Sequence, residues 1–351
     1  MEVNKAKEYI ENSFLKELID NPNITDISYN GEYIYYQDNL KGRMRSSIEI
    51  SEKEVFDFLR QLANLSDSQF SYVDPILDIS VDRYRINATH YAFSRKKRRK
   101  TINFSIRIGF DSLRIHDDGK FIPKKCLELI NLYITNQFSI VIGGLTSSGK
   151  TELQKYLLSK FKESSRVIVI DNVDELDSDF INQNIDLQTW LNLDNNKKIT
   201  FNTLIKNALR NNPDYLVVSE ARGEEMLPIL NGAMSGHPTI TTIHAKDIYS
   251  MYNRMSRMCM LANQALKFEE TLIDIYDHFK LIIHVKKEVV EGNKIIRYVD
   301  SIATNRFNKI KLLYKYPNKF FSLPKQLKYD CALDDETFNK ISNKRTTQDE
   351  D

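Results

Sequence analysis

Eight consecutive residues, Gly144-Leu145-Thr146-Ser147-Ser148-Gly149-Lys150-Thr151, set two glycines, a lysine and a hydroxyl at the spacing that cradles a nucleoside triphosphate. The glycines let the backbone approach phosphate oxygens, and the amides together with a helix N-terminus can ring them. Lys150 can then reach the β and γ oxygens, and the Thr151 hydroxyl can ligate magnesium. Gly144, Thr146, Ser147, Ser148, Gly149, Lys150, Thr151 and Glu152 are the residues expected around a bound ATP, with Mg2+ as its companion ion. The flanks agree: "FSIVIGG" before the motif is an apolar strand, and "KTELQKYLLSKF" after it is an amphipathic helix.

Three further stretches place chemistry at the ends of apolar runs. "LRNNPDYLVVSEARGEE" ends a strand in Glu220. A carboxylate at the tip of a strand neighbouring the P-loop strand organises magnesium and its water. "RVIVIDNVDELD" ends another strand in Asp171, with Asp174, Glu175 and Asp177 just beyond. An acid there can orient or deprotonate an attacking water, although an acidic turn explains the same residues. "GHPTITTIHAKD" puts His237 in a Gly-Pro turn and His244 at the end of a strand, where a single histidine is more often structural than catalytic.

These residues need a scaffold, and the pattern supplies one. Before residue 112, "ITDISYN" and "YIYYQD" alternate around Asn30-Gly31, a hairpin signal. An apolar period over residues 2–20 and a capping box at Ser51 and Glu54 mark two helices, the second running to about Leu65. "ILDISV", "YRINATHYAF" and "TINFSIRIG" read as strands, with the basic run between the last two as their connecting loop. Residues 1–112 are therefore expected to form an α+β domain on an antiparallel sheet. Residues 113–122 are polar and serve as a linker. From 123 to 330, helices alternate with short, wholly apolar runs, the mark of a mostly parallel sheet buried on both faces. A hairpin is expected around Glu291-Gly292-Asn293. Residues 331–351 form a polar tail.

The bulk numbers exclude several classes. Of 351 residues, 41% are hydrophobic and 28% charged, with a net charge of +2; a disordered chain would hold fewer apolar residues. No apolar run is long enough to span a bilayer, and the first residues carry no apolar signal core. Cys126, Cys259 and Cys331 are odd in number and far apart, so neither a disulfide framework nor a zinc pair is expected. A cytoplasmic, thiol-reduced protein follows.

Taken in order, the P-loop, "IDNVDEL", "LRNNPDYLVVSEARGEE" and "GHPTITTIHA" resemble the secretion and traffic ATPases of type II secretion, type IV secretion and pilus machines. "ITDISYNGEYIYY", "RYRINA" and "SIRIG" are similar to the sheet domain that opens the type IV secretion and Tad-pilus branch. The resemblance implies a RecA-like P-loop NTPase domain, a hexameric ring and ATP hydrolysis coupled to movement. By matching position it assigns Glu175 to water activation, Glu220 to the Walker B acid and His237 and His244 to the histidine box. Arg222 and Glu225 fall on the continuation of the Walker B motif, and Arg85 and Arg107 on N-terminal arginine fingers or sensors. Arg254 and Arg257 are further partners. The implied setting is the inner face of the cell membrane, peripherally associated, beside an inner-membrane secretion or pilus platform protein. Three residues depart from the family pattern: Asn172 where a carboxylate is usual, and Ser219 and Ser147 where glycine is common.

The run Arg95-Lys96-Lys97-Arg98-Arg99-Lys100 fits a solvated loop. It also suits an anionic membrane surface, at about 1 kcal/mol of attraction per basic residue. Direct nucleic-acid binding is not expected, because the run carries no interleaved aromatic on which a base could stack. Two other functions stay open at this point: a DNA-translocating RecA-like ATPase, and a nucleotide-dependent scaffold or switch with little hydrolysis. A small-molecule kinase ranks last, since the histidine-bearing strand has no task there.

Overall fold

The computed structural model describes residues 2–110, 112–172, 175–176, 184–192, 199–306 and 309–346; Asp174 and Asp177 lie outside the described residues. The chain divides into two compact units, Met1–Asp111 with Glu288–Ile296, and Ser112–Lys287 with Arg297–Asp351.

In the first unit, α1 (Glu2–Glu11) and α2 (Lys16–Ile19) precede β1 (Ile24–Tyr29), β2 (Ile34–Asp38) and β3 (Gly42–Arg45). The expected single N-terminal helix is broken at 12–15. There the Asn12 side-chain amide donates to the Glu8 carbonyl (2.9 Å) and the Ser13 hydroxyl to that of Ile10 (2.7 Å), satisfying carbonyls that a continuing helix would need. Helix α3 (Glu52–Leu65) opens on the expected capping box: the Glu54 amide donates to Ser51 Oγ, and the Ser51 amide to Glu54 Oε2. Strands β4 (Ile76–Val81) and β5 (Tyr84–Thr89) follow, then β6 (Arg95–Lys96), β7 (Arg99–Lys100) and β8 (Asn103–Ile108). Six of these strands form one sheet in the order β3-β2-β1-β8-β5-β4, antiparallel throughout. Strand β4 alternates exposed and buried residues without a break, as a sheet with one covered face requires. The basic run is not a plain loop. It is a small hairpin of β6 and β7, turned at Lys97 and Arg98 with φ of 49° and 68°.

The second unit runs α4 (Lys124–Thr135), β9 (Ser139–Gly144), α5 (Lys150–Leu158), β10 (Arg166–Asp171), β11 (Asp186–Leu191), α6 (Phe201–Leu209), β12 (Tyr215–Ala221), α7 (Met226–Met234) and β13 (Thr239–His244). It continues with α8 (Met251–Ala262), α9 (Phe268–His278), β14 (Phe279–Val290), β15 (Lys294–Arg306), β16 (Lys309–Lys315), β17 (Lys319–Phe320), α10 (Lys325–Asp330) and α11 (Asp335–Thr346), the end of β14 and start of β15 within Glu288–Ile296 counting with the first unit. The sheet order is β11-β10-β12-β13-β9-β14-β15-β16-β17; the pairs from β11 to β14 are parallel and those from β15 to β17 antiparallel. This is a mixed α/β chain: an antiparallel N-terminal sheet followed by a RecA-like, mostly parallel one.

Strands β9, β10, β12 and β13 are buried almost end to end, with helices on both sides. Apolar residues at every position are what such strands need, since each face meets a helix layer. Residues 113–122 carry neither helix nor strand, yet Ile115 and Ile122 are buried in this unit's core. Within 331–346, part of the stretch expected as a polar tail, Cys331 and Phe338 are buried in the same core. A helix with one apolar residue per turn or fewer reads as polar, but those few residues suffice to seat it. Among the described residues no helix is long and apolar enough to cross a membrane.

Candidate active site

The site lies at the carboxyl ends of β9, β13, β12 and β10, where an open parallel sheet presents its loops to a ligand. Strand β9 delivers the chain into the loop 145–149, and α5 begins at Lys150. Two positions fix why glycine is needed. Gly149 has φ of 101°, a left-handed backbone that costs glycine nothing. A Cβ on Gly144 would come within 2.5 Å of Ser148 Oγ and 2.6 Å of the Val285 carbonyl. The loop therefore curls tightly, and the α5 N-terminus faces the space it encloses. Ser148 Oγ is buried there without a hydrogen-bond partner, an orphaned donor that a phosphate oxygen would satisfy. Thr146 and Ser147 are exposed, and Thr151 and Glu152 half-buried. Lys155 Nζ stands 3.6 Å from Glu152 Oε1.

Lys150 is buried, and its ammonium donates to the carbonyls of Gly144 and Leu145, each at 3.2 Å. It also stands 3.5 Å from His244 Nδ1. On the other side of the ring, His244 Nε2 lies 2.8 Å from Glu220 Oε1. Burial, then the nearby Lys150 charge, hold the imidazole below the usual histidine range, although Glu220 pulls the other way. A neutral ring fits this setting: Nδ1 can accept from the ammonium, while Nε2 approaches a Glu220 oxygen that has no hydrogen bond of its own. Arg222 closes the chain from Nε to Glu220 Oε2 at 2.8 Å.

The sheet order corrects one expectation. Glu220 does not sit on a strand neighbouring the P-loop strand, because β13 runs between β9 and β12. His244, at the tip of β13, fills that gap and links lysine to acid. Strand β12 is irregular where it presents Glu220: its pairing with β13 shifts register between Val218 and Ala221, and the Thr242 hydroxyl donates to the Ser219 carbonyl at 2.7 Å. Gln154 of α5 donates to the Val218 carbonyl at 2.9 Å, tying the P-loop helix to the acid's strand. Glu225 folds back to accept the backbone amides of Arg222 and, at 2.9 Å, Gly223, which fixes the turn into α7.

Asp171 turns inward rather than toward a ligand. It is fully buried and accepts backbone amides from Asn172 (2.7 Å), Glu175 (2.8 Å) and Leu176 (3.0 Å). Its role is to hold the turn that carries Glu175. Asn172, where the family pattern has an acid, accepts from Asn192 at the end of β11 (3.4 Å).

Other expected residues stand elsewhere. His237 precedes β13 at its opposite end, about 20 Å along the strand from His244 at ~3.3 Å per residue. Arg254 and Arg257 are exposed on α8. Arg85 and Arg107 belong to the first unit, directly opposite each other across β5 and β8, and Arg107 Nε lies 3.4 Å from Asp26. Two sets of residues gave no warning in the sequence. Arg297 of β15 donates from Nε to the Ser147 carbonyl at 2.8 Å, with Arg114 in its electrostatic reach. His284 of β14, opposite Gly143, lies 3.3 Å from Asp300, which also accepts from Lys315 at 2.7 Å and Ser301 at 3.0 Å. Burial alone would raise the Asp300 carboxyl, but these donors hold it well below the usual carboxylate range. No local motif surrounds either set, and only the sheet order brings them together.

Comparison with known proteins bears on this arrangement. A family model described as type II/IV secretion system protein matches residues 112–309, which include Lys150, Glu175, Glu220 and His244. An uncharacterized protein of Bacillus anthracis is 26% identical over 334 residues, covering 90% of this chain and 74% of that protein. The type IV secretion system protein VirB11 of Brucella suis is 30% identical over 158 residues, 44% of each chain, so that match spans under half of its length. The ATPase DotB of Legionella pneumophila has a similar fold, with a TM-score of 0.60 at 19% identity over 95% of this chain and 86% of that one.

Proposed function

The chain belongs to the type II/IV secretion system protein family, and from that premise we propose that it is an ATP-hydrolysing motor, working as a hexamer, that powers a type IV secretion or conjugation channel or a pilus-assembly machine. The observation that carries the reading is the continuous chain from Lys150 through His244 to Glu220 at the mouth of the P-loop. It joins the residue that would grip the γ-phosphoryl group to the acid that would order its magnesium. A neutral histidine between them can report on the nucleotide by exchanging partners as the phosphate departs.

The residues fit both ligands. The loop amides and the orphaned Ser148 hydroxyl would receive phosphate oxygens, and Thr151 with Glu220 would hold Mg2+, partly through water. When bound, that ion neutralises charge developing on the transferred phosphoryl group. Lys150 would leave its two carbonyl acceptors for the β and γ oxygens. Glu175, presented by the turn that Asp171 holds, would orient and deprotonate the attacking water. Arg222 holds the Glu220 carboxylate in place. Arg85 and Arg107 would complete the site by answering the charge on the γ-phosphoryl group. Movement of one unit against the other would then be the output. VirB11 and DotB carry the names of a type IV secretion protein and an ATPase. The corresponding setting for this chain is the cytoplasmic face of the cell membrane, beside a membrane platform protein, with residues 95–100 facing anionic lipid.

The test is steady-state ATP hydrolysis by protein separated into monomer and ring fractions, with Glu175→Gln alongside, in the presence and absence of anionic liposomes and single-stranded DNA. Turnover confined to the ring, lost in the variant and raised by liposomes supports the secretion motor. Stimulation by DNA alone replaces it with a translocase, and ATP binding without turnover replaces it with a scaffold.

A further inference from the structure

Ser147 stands in the P-loop where glycine is common, and its backbone is left-handed, with φ of 59°. A side chain there crowds the backbone, so the conformation must be held by something else. The holder is visible. Arg297 Nε donates to the Ser147 carbonyl at 2.8 Å, across 150 positions of sequence. The guanidinium stem also lies against the loop: a Cβ built on Gly149 would be 4.0 Å from Arg297 Cδ and 3.2 Å from the Phe121 ring. Phe121 in turn is fastened to the strand that carries Arg297, accepting the Val299 amide at 2.8 Å.

Because a peptide unit is planar, fixing the Ser147 carbonyl also fixes the opposed amide of Ser148, which donates to the Leu145 carbonyl at 3.3 Å and so closes the turn of the P-loop. We propose that Arg297 is a positioning residue of the nucleotide site, a clamp that makes Ser147 tolerable in the P-loop and keeps the loop open in the phosphate-receiving shape. The surroundings suit a clamp that senses charge. Burial pushes the Arg297 guanidinium below the usual arginine range; burial does the same to Arg114, where Glu152 pulls the other way and Arg297 adds repulsion. Without the clamp, Ser147 relaxes toward negative φ, the 147–148 peptide turns over, and the Ser148 amide loses its hydrogen bond to the Leu145 carbonyl, which unfastens the loop.

The inference rests on the ATP-site reading, and the experiment separates the two. Binding of a fluorescent ATP analogue is measured for the full chain and for Arg297→Gln, Ser147→Gly, the double variant and Arg297→Lys, with Lys150→Ala as the control for the site itself. Chemical unfolding is followed on the same set. Arg297→Gln weakens binding about tenfold in the native background but less than about threefold in Ser147→Gly, where glycine needs no clamp. Arg297→Lys recovers part of the loss. Equal losses in both backgrounds overturn the clamp, because Arg297 would then act without Ser147. Coupling confined to unfolding, with binding unchanged, overturns it as a mere packing contact. If the native chain binds no analogue while folded, the ATP site falls and the clamp with it; if only Lys150→Ala loses binding, the site stands and the clamp falls.

Discussion

Glu220 and Glu175 carry the same charge and are held in opposite ways. Glu220 has Arg222 on one oxygen and His244 close to the other, so its side chain is held from two sides. Glu175 is fixed through its backbone amide, donated to Asp171, which leaves the carboxylate's role to be set by the turn. If Glu175 activates water, Glu175→Gln lowers kcat by about 100-fold or more, the range expected for a lost general base, and leaves ATP binding unchanged. Hydrolysis assays beside analogue binding check both halves. Asp171→Asn should behave differently. It removes the charge from an acceptor of three backbone amides, one of them buried, costs about 1–3 kcal/mol in chemical unfolding, and lowers kcat by letting the turn drift. At this scale the P-loop was legible because its chemistry is contiguous, whereas the inward turn of Asp171 was not. Its partners are backbone amides, which every sequence supplies equally. Arg297 was hidden for a related reason: its partner is a carbonyl 150 residues away.

Strands and helices were legible where burial is one-sided or complete. The apolar runs of β9, β10, β12 and β13 announce themselves, and so does the capping box that starts α3. Strand β11, "DLQTWL", gave no such signal, because an edge strand is only partly covered and can stay polar. Strand order was not legible either, and it matters most at β13, which brings His244 between lysine and acid. That placement has a consequence for pH. The native state holds His244 below its ordinary range, so the unfolded chain binds a proton at about pH 6.5 that the folded one refuses. Its contribution to stability is present above that pH and is lost as the pH falls through the native value. His244→Gln should therefore flatten the fall in unfolding free energy between about pH 7 and 5.5, read by urea titrations across that window. For α3, Ser51→Ala removes the cap of the helix on the first unit and should cost about 1 kcal/mol in the same assay.

At the scale of the whole molecule the charge is balanced, +2 over 351 residues, so function depends on where charges are gathered. The second unit gathers Lys150, Glu175, Glu220 and His244, while the two facing arginines, Arg85 and Arg107, lie on the first. A ring built from head-to-tail contacts offers each site the residues of a neighbour, and this gives the division of labour a test. Arg107→Ala leaves Asp26 without a partly exposed ion-pair partner, a loss of under about 1 kcal/mol, so the variant folds. Lys150→Ala abolishes the chain's own site and keeps its arginine. Each variant alone should turn over little ATP. Mixed in equal amounts and reassembled, they regain activity if Arg107 serves the adjacent subunit. Random assortment then pairs an intact site with an arginine-bearing neighbour in about a quarter of positions, so turnover recovers to about a quarter of the native rate. Recovery near that value assigns the arginine in trans. A mixture no better than its parts would assign it to the nucleotide of its own chain, and the ring would then be needed for movement and not for chemistry.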